Sequence, residues 1–219
     1  REMYRQRDWD WRETVGKIPS SDFFSSALAR VNSMLMYFGH GGAQVCFSRR
    51  RVEELIDDRI ASLRRSPDEL NTISTSGCKT SSAVESPCRA VVVLMGCSSG
   101  RLVSINRKDF NIIEEAPLYY EPEGVALSYL CAGAPCVVGN LWDVTDHDID
   151  RFSVSMLDQF FGEMETGEDM SSHCSPSSRK SLAACVAQSR SACNLQYLVG
   201  CAPVCYGIPV ELLQQDIGR

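Results

Sequence analysis

Histidine occurs three times in this 219-residue chain, and one of the three has an unusual setting: His40 lies in Gly39-His40-Gly41-Gly42, directly after the apolar run MLMYF. Cys97 repeats that setting, following RAVVVLM in Gly96-Cys97-Ser98-Ser99-Gly100. Glycines on either side let the backbone turn sharply and leave side chains and N–H groups uncovered. An imidazole beside a thiol favours the thiolate, the species that attacks carbonyls. The N–H groups of Gly41 and of Cys97 itself could then hold the oxyanion that develops during attack. A Gly-His-Gly turn alone is more often an ordinary polar turn, and a lone cysteine is usually a buried small hydrophobe. The two together point to a cysteine nucleophile with a histidine base.

His40 precedes Cys97 by 57 residues, near the spacing of about 50 found in caspase-type enzymes. The same letters also satisfy G-x-S-x-G, the nucleophile elbow of α/β-hydrolases, with Ser98 as nucleophile. That alternative takes Asp143 or Asp146 as its acid and leaves His147 or His173 as its base. His147 crowds the acids, and His173 lies in the Ser-rich stretch SSHCSPSS. A third cluster, NLWDVTDHDID, carries Asp143, Asp146, Asp148 and Asp150. Capping and the helix dipole account for one or two of these acids, with Asp146 the natural cap. The excess points to an anionic pocket suited to a substrate Arg or Lys. A thiol–imidazole pair leaves a metal no task, so no metal or cofactor is expected.

Apolar runs at 34–38, 89–95 and 136–142 read as buried strands. Between them, residues 20–30, 50–65 and 124–133, and a segment marked by Ile149, Phe152, Met156, Leu157 and Phe160, have helical spacing. The apolar, Gly/Pro-punctuated tail 195–212 is expected to enter the sheet once more. Strands alternating with amphipathic helices predict an α/β domain, a mostly parallel sheet with helices on both faces. In such sheets ligands bind at the carboxyl ends of the strands, where both Gly-rich loops fall. Residues 66–87 and 163–180 are Ser-rich and read as insertions into a single domain spanning 1–219.

Composition narrows the classes. The formal net charge is −6, so the chain is a poor partner for nucleic acid. Eleven cysteines without a C-x-x-C pair exclude zinc-finger spacing. With no apolar run of 18 residues and no secretory leader, the expectation is an intracellular chain with reduced thiols and no membrane span. The charged opening REMYRQRDWDWRE, which starts at Arg1, reads as the interior of a longer protein.

The segments MYFGHGG, VVLMGCSSG, AGAPCVVGNLWDVTDHDIDRF and YLVGCAPVCYGIPV resemble the signature segments of the separase protease domain. The resemblance implies a three-layer, caspase-like α/β/α fold and a cysteine endopeptidase. It implies Cys97 as nucleophile and His40 as general base and acid. The implied reaction is cleavage of the kleisin subunit of cohesin after Arg, in a Glu-x-x-Arg context, to separate sister chromatids at anaphase. Asp150 and Asp143, with Asp146, become the acids for the P1 Arg. Glu121 and Gly124 match a further family segment lining the same side. A securin-like inhibitory chaperone is the implied partner, and cytoplasm and nucleus (mitotic chromosomes, the spindle region) the implied location. A non-catalytic fragment that only binds partners is the remaining alternative.

Overall fold

The computed structural model describes residues 10–41, 43, 48–64, 88–104, 122–162 and 180–212. In chain order its elements are α1 (Ser21–Ala29), β1 (Met34–Tyr37), α2 (Arg49–Arg64), β2 (Val91–Leu94), β3 (Val103–Ser104), β4 (Pro122–Glu123), α3 (Val125–Cys131), β5 (Cys136–Asn140), α4 (Asp146–Phe161), α5 (Leu182–Ser189), a 3-10 turn (Arg190–Ala192) and β6 (Pro203–Gly207). The main sheet runs β1-β2-β5-β6, and β3 pairs with β4 in a separate short ladder. Strands β1, β2 and β5 are parallel; β6 returns antiparallel along β5.

The β-branched run VVVL makes β2 a central strand, because all four side chains are buried and neither face meets water. Val91 and Val93 point into one core with Val138, Phe152, Met156, Leu182 and Cys185, formed under α4 and α5. Val92 and Leu94 point into the other with Phe24, Leu28, Val52, Tyr129 and Val137, formed under α1, α2 and α3. This is the expected three-layer α/β/α arrangement.

Helix starts follow local chemistry. The Ser20 hydroxyl accepts the Phe23 N–H, and the Ser181 hydroxyl accepts the Ala184 N–H, each capping a helix. At α4 the expectation needs correcting. Thr145, extended at φ −84°, occupies the cap position and Asp146 is the first helical residue, where its charge favours the positive end of the helix dipole. The expected insertion at 66–87, and that at 163–180 apart from Lys180, lie outside the described residues, as do His173 and Glu121. The eight described cysteines are all free thiols. Several serve as core packing, among them Cys88, whose thiol burial pushes up to about 11.

Candidate active site

Strand register decides which loops meet. In the parallel β1–β2 pair, Tyr37 lies opposite Leu94. His40 and Cys97 each follow three residues later, so both leave the same sheet end from adjacent strands, about 4.8 Å apart in the hydrogen-bonding direction. The Met95 N–H continues the ladder by donating to the Tyr37 carbonyl at 2.8 Å. Beyond it the two loops touch backbone to backbone. A Cβ placed on Gly96 would lie 1.8 Å from the Gly41 carbonyl oxygen and 3.0 Å from that of Gly39. Only glycine fits at 96, and its missing side chain is what lets the histidine loop close onto the cysteine loop.

The histidine loop turns at Gly41, whose φ of +68° is left-handed. The Tyr37 hydroxyl pins it by donating to the His40 carbonyl at 2.9 Å. The ring itself is exposed, and its Nδ1 stands 3.8 Å from Asp146 Oδ1 at the start of α4.

The cysteine loop is tied to β5 at nearly every residue. Asn140, fully buried, donates through Nδ2 to the Gly96 carbonyl at 3.0 Å. The buried Ser99 hydroxyl donates to the Leu94 carbonyl at 2.6 Å and accepts the Asn140 N–H at 3.1 Å. The Gly100 N–H donates to the Asn140 carbonyl, and the Tyr206 hydroxyl on β6 donates to the Gly100 carbonyl. Above this base Cys97 is half-buried and donates its thiol to the Val144 carbonyl at 3.4 Å.

Ser98 adopts φ +54°, a left-handed backbone that a side-chain-bearing residue holds only when its surroundings impose it. Two bonds impose it here: its N–H donates to the Trp142 carbonyl at 3.1 Å and its hydroxyl to Asp143 Oδ1 at 2.6 Å. Ser98 thus reaches a carboxylate rather than an imidazole, and His147, the described base of the serine-nucleophile alternative, stands exposed in the first turn of α4.

The acidic cluster divides by role. Asp143 is exposed and accepts from Ser98; Asp146 is exposed beside His40. Asp150 is exposed in the second turn of α4, has no hydrogen-bond or ion-pair partner among the described residues, and lines a shallow depression with His147, Arg151 and Asp158. Asp148 turns inward instead, and is buried. Its carboxylate accepts the N–H groups of Leu195 at 2.8 Å and Asn194 at 3.0 Å, which, with the nearby Arg151, hold it below the usual carboxylate range. The acidic run alone does not predict this role; its sequence signal is a position next to Ile149, on the side of α4 that faces the core. Gly124 stands just before α3, its Cα against the Arg101 carbonyl, where an added Cβ would come within 2.6 Å. It packs against the chain leaving the cysteine loop.

Comparison with known proteins gives a consistent result. The profile of the family described as "Separin, protease domain" matches residues 1–149. The separin of Schizosaccharomyces pombe is 34% identical over 97% of this chain and 9% of its own length, and that of Emericella nidulans is 34% identical over 91% and 7%. The mouse separin is 32% identical over 92% of this chain and 7% of its own. The separase chain in the crystal structure of the Saccharomyces cerevisiae separase–securin complex superposes with a TM-score of 0.54 at 27% identity, covering 89% of this chain and 10% of that one. The chain thus spans about a tenth or less of the length of the relatives it matches.

Proposed function

This chain belongs to the separin protease-domain family, and on that premise we propose that it is a cysteine endopeptidase that uses Cys97 and His40. The observation that carries the reading is the shared register: both residues stand three positions beyond the paired Tyr37 and Leu94, on loops in backbone contact. His40 takes the thiol proton, after the thiol turns from the Val144 carbonyl. The thiolate adds to the scissile carbonyl, and the oxyanion is held by the N–H groups of Gly41 and Cys97. His40 returns the proton to the leaving amine, and water then releases the acyl group by the same path reversed.

The acids set the preference for Arg at P1. Asp150 is favoured, because its exposed carboxylate has no partner to displace among the described residues. Asp143 is already engaged by Ser98, and Asp146 stands beside His40. By likeness to the family, the substrate is the kleisin subunit of cohesin, cut after Arg in a Glu-x-x-Arg context at anaphase. By the same likeness a securin-like inhibitory chaperone is the partner, in keeping with the yeast structure being a separase–securin complex, and the site of action is the cytoplasm and nucleus.

The test is a Glu-x-x-Arg fluorogenic peptide together with an acyloxymethyl ketone carrying Arg. The reading expects hydrolysis after Arg and covalent labelling of Cys97, both abolished by Cys97→Ala. Labelling elsewhere, or turnover that survives Cys97→Ala, overturns it.

A further inference from the structure

Loop 193–201, which joins the 3-10 turn to β6, combines two properties that rarely occur together: it is rigidly anchored and it displays large apolar side chains. Its anchors are numerous. Cys193 and Val199 are buried. The Asp148 carboxylate accepts the Asn194 and Leu195 N–H groups. The Leu195 carbonyl accepts from Leu198 at 3.1 Å and from Val199 at 2.7 Å, closing a tight turn. The Trp142 indole N–H donates to the Leu198 carbonyl at 2.6 Å. Gly200 is packed so closely that a Cβ would come within 2.6 Å of the Arg190 and Gln196 carbonyls. Yet Leu195, Tyr197 and Leu198 are 47%, 86% and 61% exposed, and Trp142 is 38% exposed.

A preorganised surface of this kind binds without the entropy of ordering a loop, and exposed apolar clusters containing Trp and Tyr mark recognition sites. Its position relative to the nucleophile loop bears on what could occupy it. The Trp142 carbonyl accepts the Ser98 N–H, and Asp143 follows Trp142. The shelf is therefore continuous with the nucleophile loop and with the acids.

We propose that Trp142, Leu195, Tyr197 and Leu198 form an apolar subsite for a side chain of the polypeptide substrate close to the scissile bond. The preferred substrate then carries a basic residue for the acids and an apolar residue for the shelf within a few positions of each other. The proposal rests on the reading of the site as an endopeptidase. Charge selects this occupant over a second copy of the chain: two copies that each carry net −6 repel one another, whereas a basic, apolar segment is attracted by that charge and by the exposed Asp143 next to Trp142.

The experiment uses the full chain in its native protein and fluorogenic peptides with one Arg, carrying Leu or Ser at each of the neighbouring positions. At one position or more, Leu should raise kcat/KM on the order of tenfold over Ser. The double variant Tyr197→Ser/Leu198→Ser should bring that ratio close to one. Val31→Ser, which exchanges another exposed apolar residue at the opposite end of the sheet, should preserve it. In parallel, fluorescence polarisation on the Cys97→Ala protein measures binding of the same peptides without cleavage. If no peptide is hydrolysed but the bound state still prefers Leu, and the double variant loses that preference, the shelf stands and the endopeptidase reading falls. The proposal is overturned if neither assay separates Leu from Ser, if the double variant keeps the wild-type ratio, or if that variant instead converts a dimer into a monomer in sedimentation.

Discussion

Replacing Gly96 by Ala tests the contact on which the site depends. The added methyl would sit 1.8 Å from the Gly41 carbonyl oxygen, where an ordinary contact needs 3 Å or more. The obstacle is backbone, so no side-chain rotation relieves it, and the two loops must part by more than an ångström. Misplacing reacting groups by that distance costs about 10²-fold in rate, equivalent to about 2.7 kcal/mol of transition-state stabilisation. Overpacking lowers stability by a further 1–3 kcal/mol, roughly. Gly39→Ala is the milder comparison: its methyl meets the Tyr37 hydroxyl at 2.7 Å, a side-chain end that can move aside, losing at most its bond to the His40 carbonyl. We expect Gly96→Ala to lose about 100-fold in kcat/KM on an Arg fluorogenic peptide and Gly39→Ala no more than about tenfold, with thermal melts verifying that both remain folded. A Gly96→Ala protein within twofold of wild type, or a Gly39→Ala protein that loses more, would refute the reasoning.

Three further outcomes follow from the same geometry. Cys97→Ser should abolish peptide turnover, whereas Ser98→Ala, which removes only the bond to Asp143, should retain measurable activity; the reverse order in one paired assay restores the serine-nucleophile alternative. Asp150→Asn should lower kcat/KM for Arg peptides by at least about tenfold, through loss of a charge-assisted hydrogen bond, and Asp143→Asn should cost less because Ser98 already occupies it; normal cleavage by both variants would remove these acids from the P1 pocket. Asp148 is held below the usual carboxylate range, so its stabilising effect is fully present above the unfolded value near 4 and is lost as pH falls through the folded value. Thermal melts should therefore show wild type losing stability below about pH 4, with Asp148→Asn less stable at neutral pH and flatter across that range.

The parts of the fold that declare themselves in sequence are those with one dominant physical signal. VVVL and CVVGN are apolar on both faces, so burial alone identifies them as central strands; Ile149, Phe152, Met156 and Phe160 repeat with the period of α4. The loops carrying His40 and Cys97 stand out in sequence only as a pair: either Gly-rich turn alone is commonplace, and it is the parallel register of β1 and β2 that brings the two to one sheet end. Helix α5 carries little sequence signal: LAACVAQS is short and built of small residues, and only its packing against α4 reveals it. The β3–β4 ladder joins two residues to two, too few to leave a pattern. Asp146 reads as a cap because Asp usually is one, but Thr145 adopts the extended backbone that the position needs. Asp148 shows the same limit, since its partners are backbone N–H groups 46 and 47 residues away, which no local spacing encodes.

The shared register of β1 and β2 has a consequence for how such a chain can change over generations. Relative to each other, His40 and Cys97 are positioned by two short counts, three residues beyond Tyr37 and three beyond Leu94. The 57-residue interval between them does not enter. Lengthening the connection between the strands raises its closure entropy only slowly and leaves both counts intact, whereas one residue gained or lost inside either count moves one partner without the other. Relatives are thus free to differ widely in the stretch that separates the two motifs, while each motif keeps its own distance from its strand.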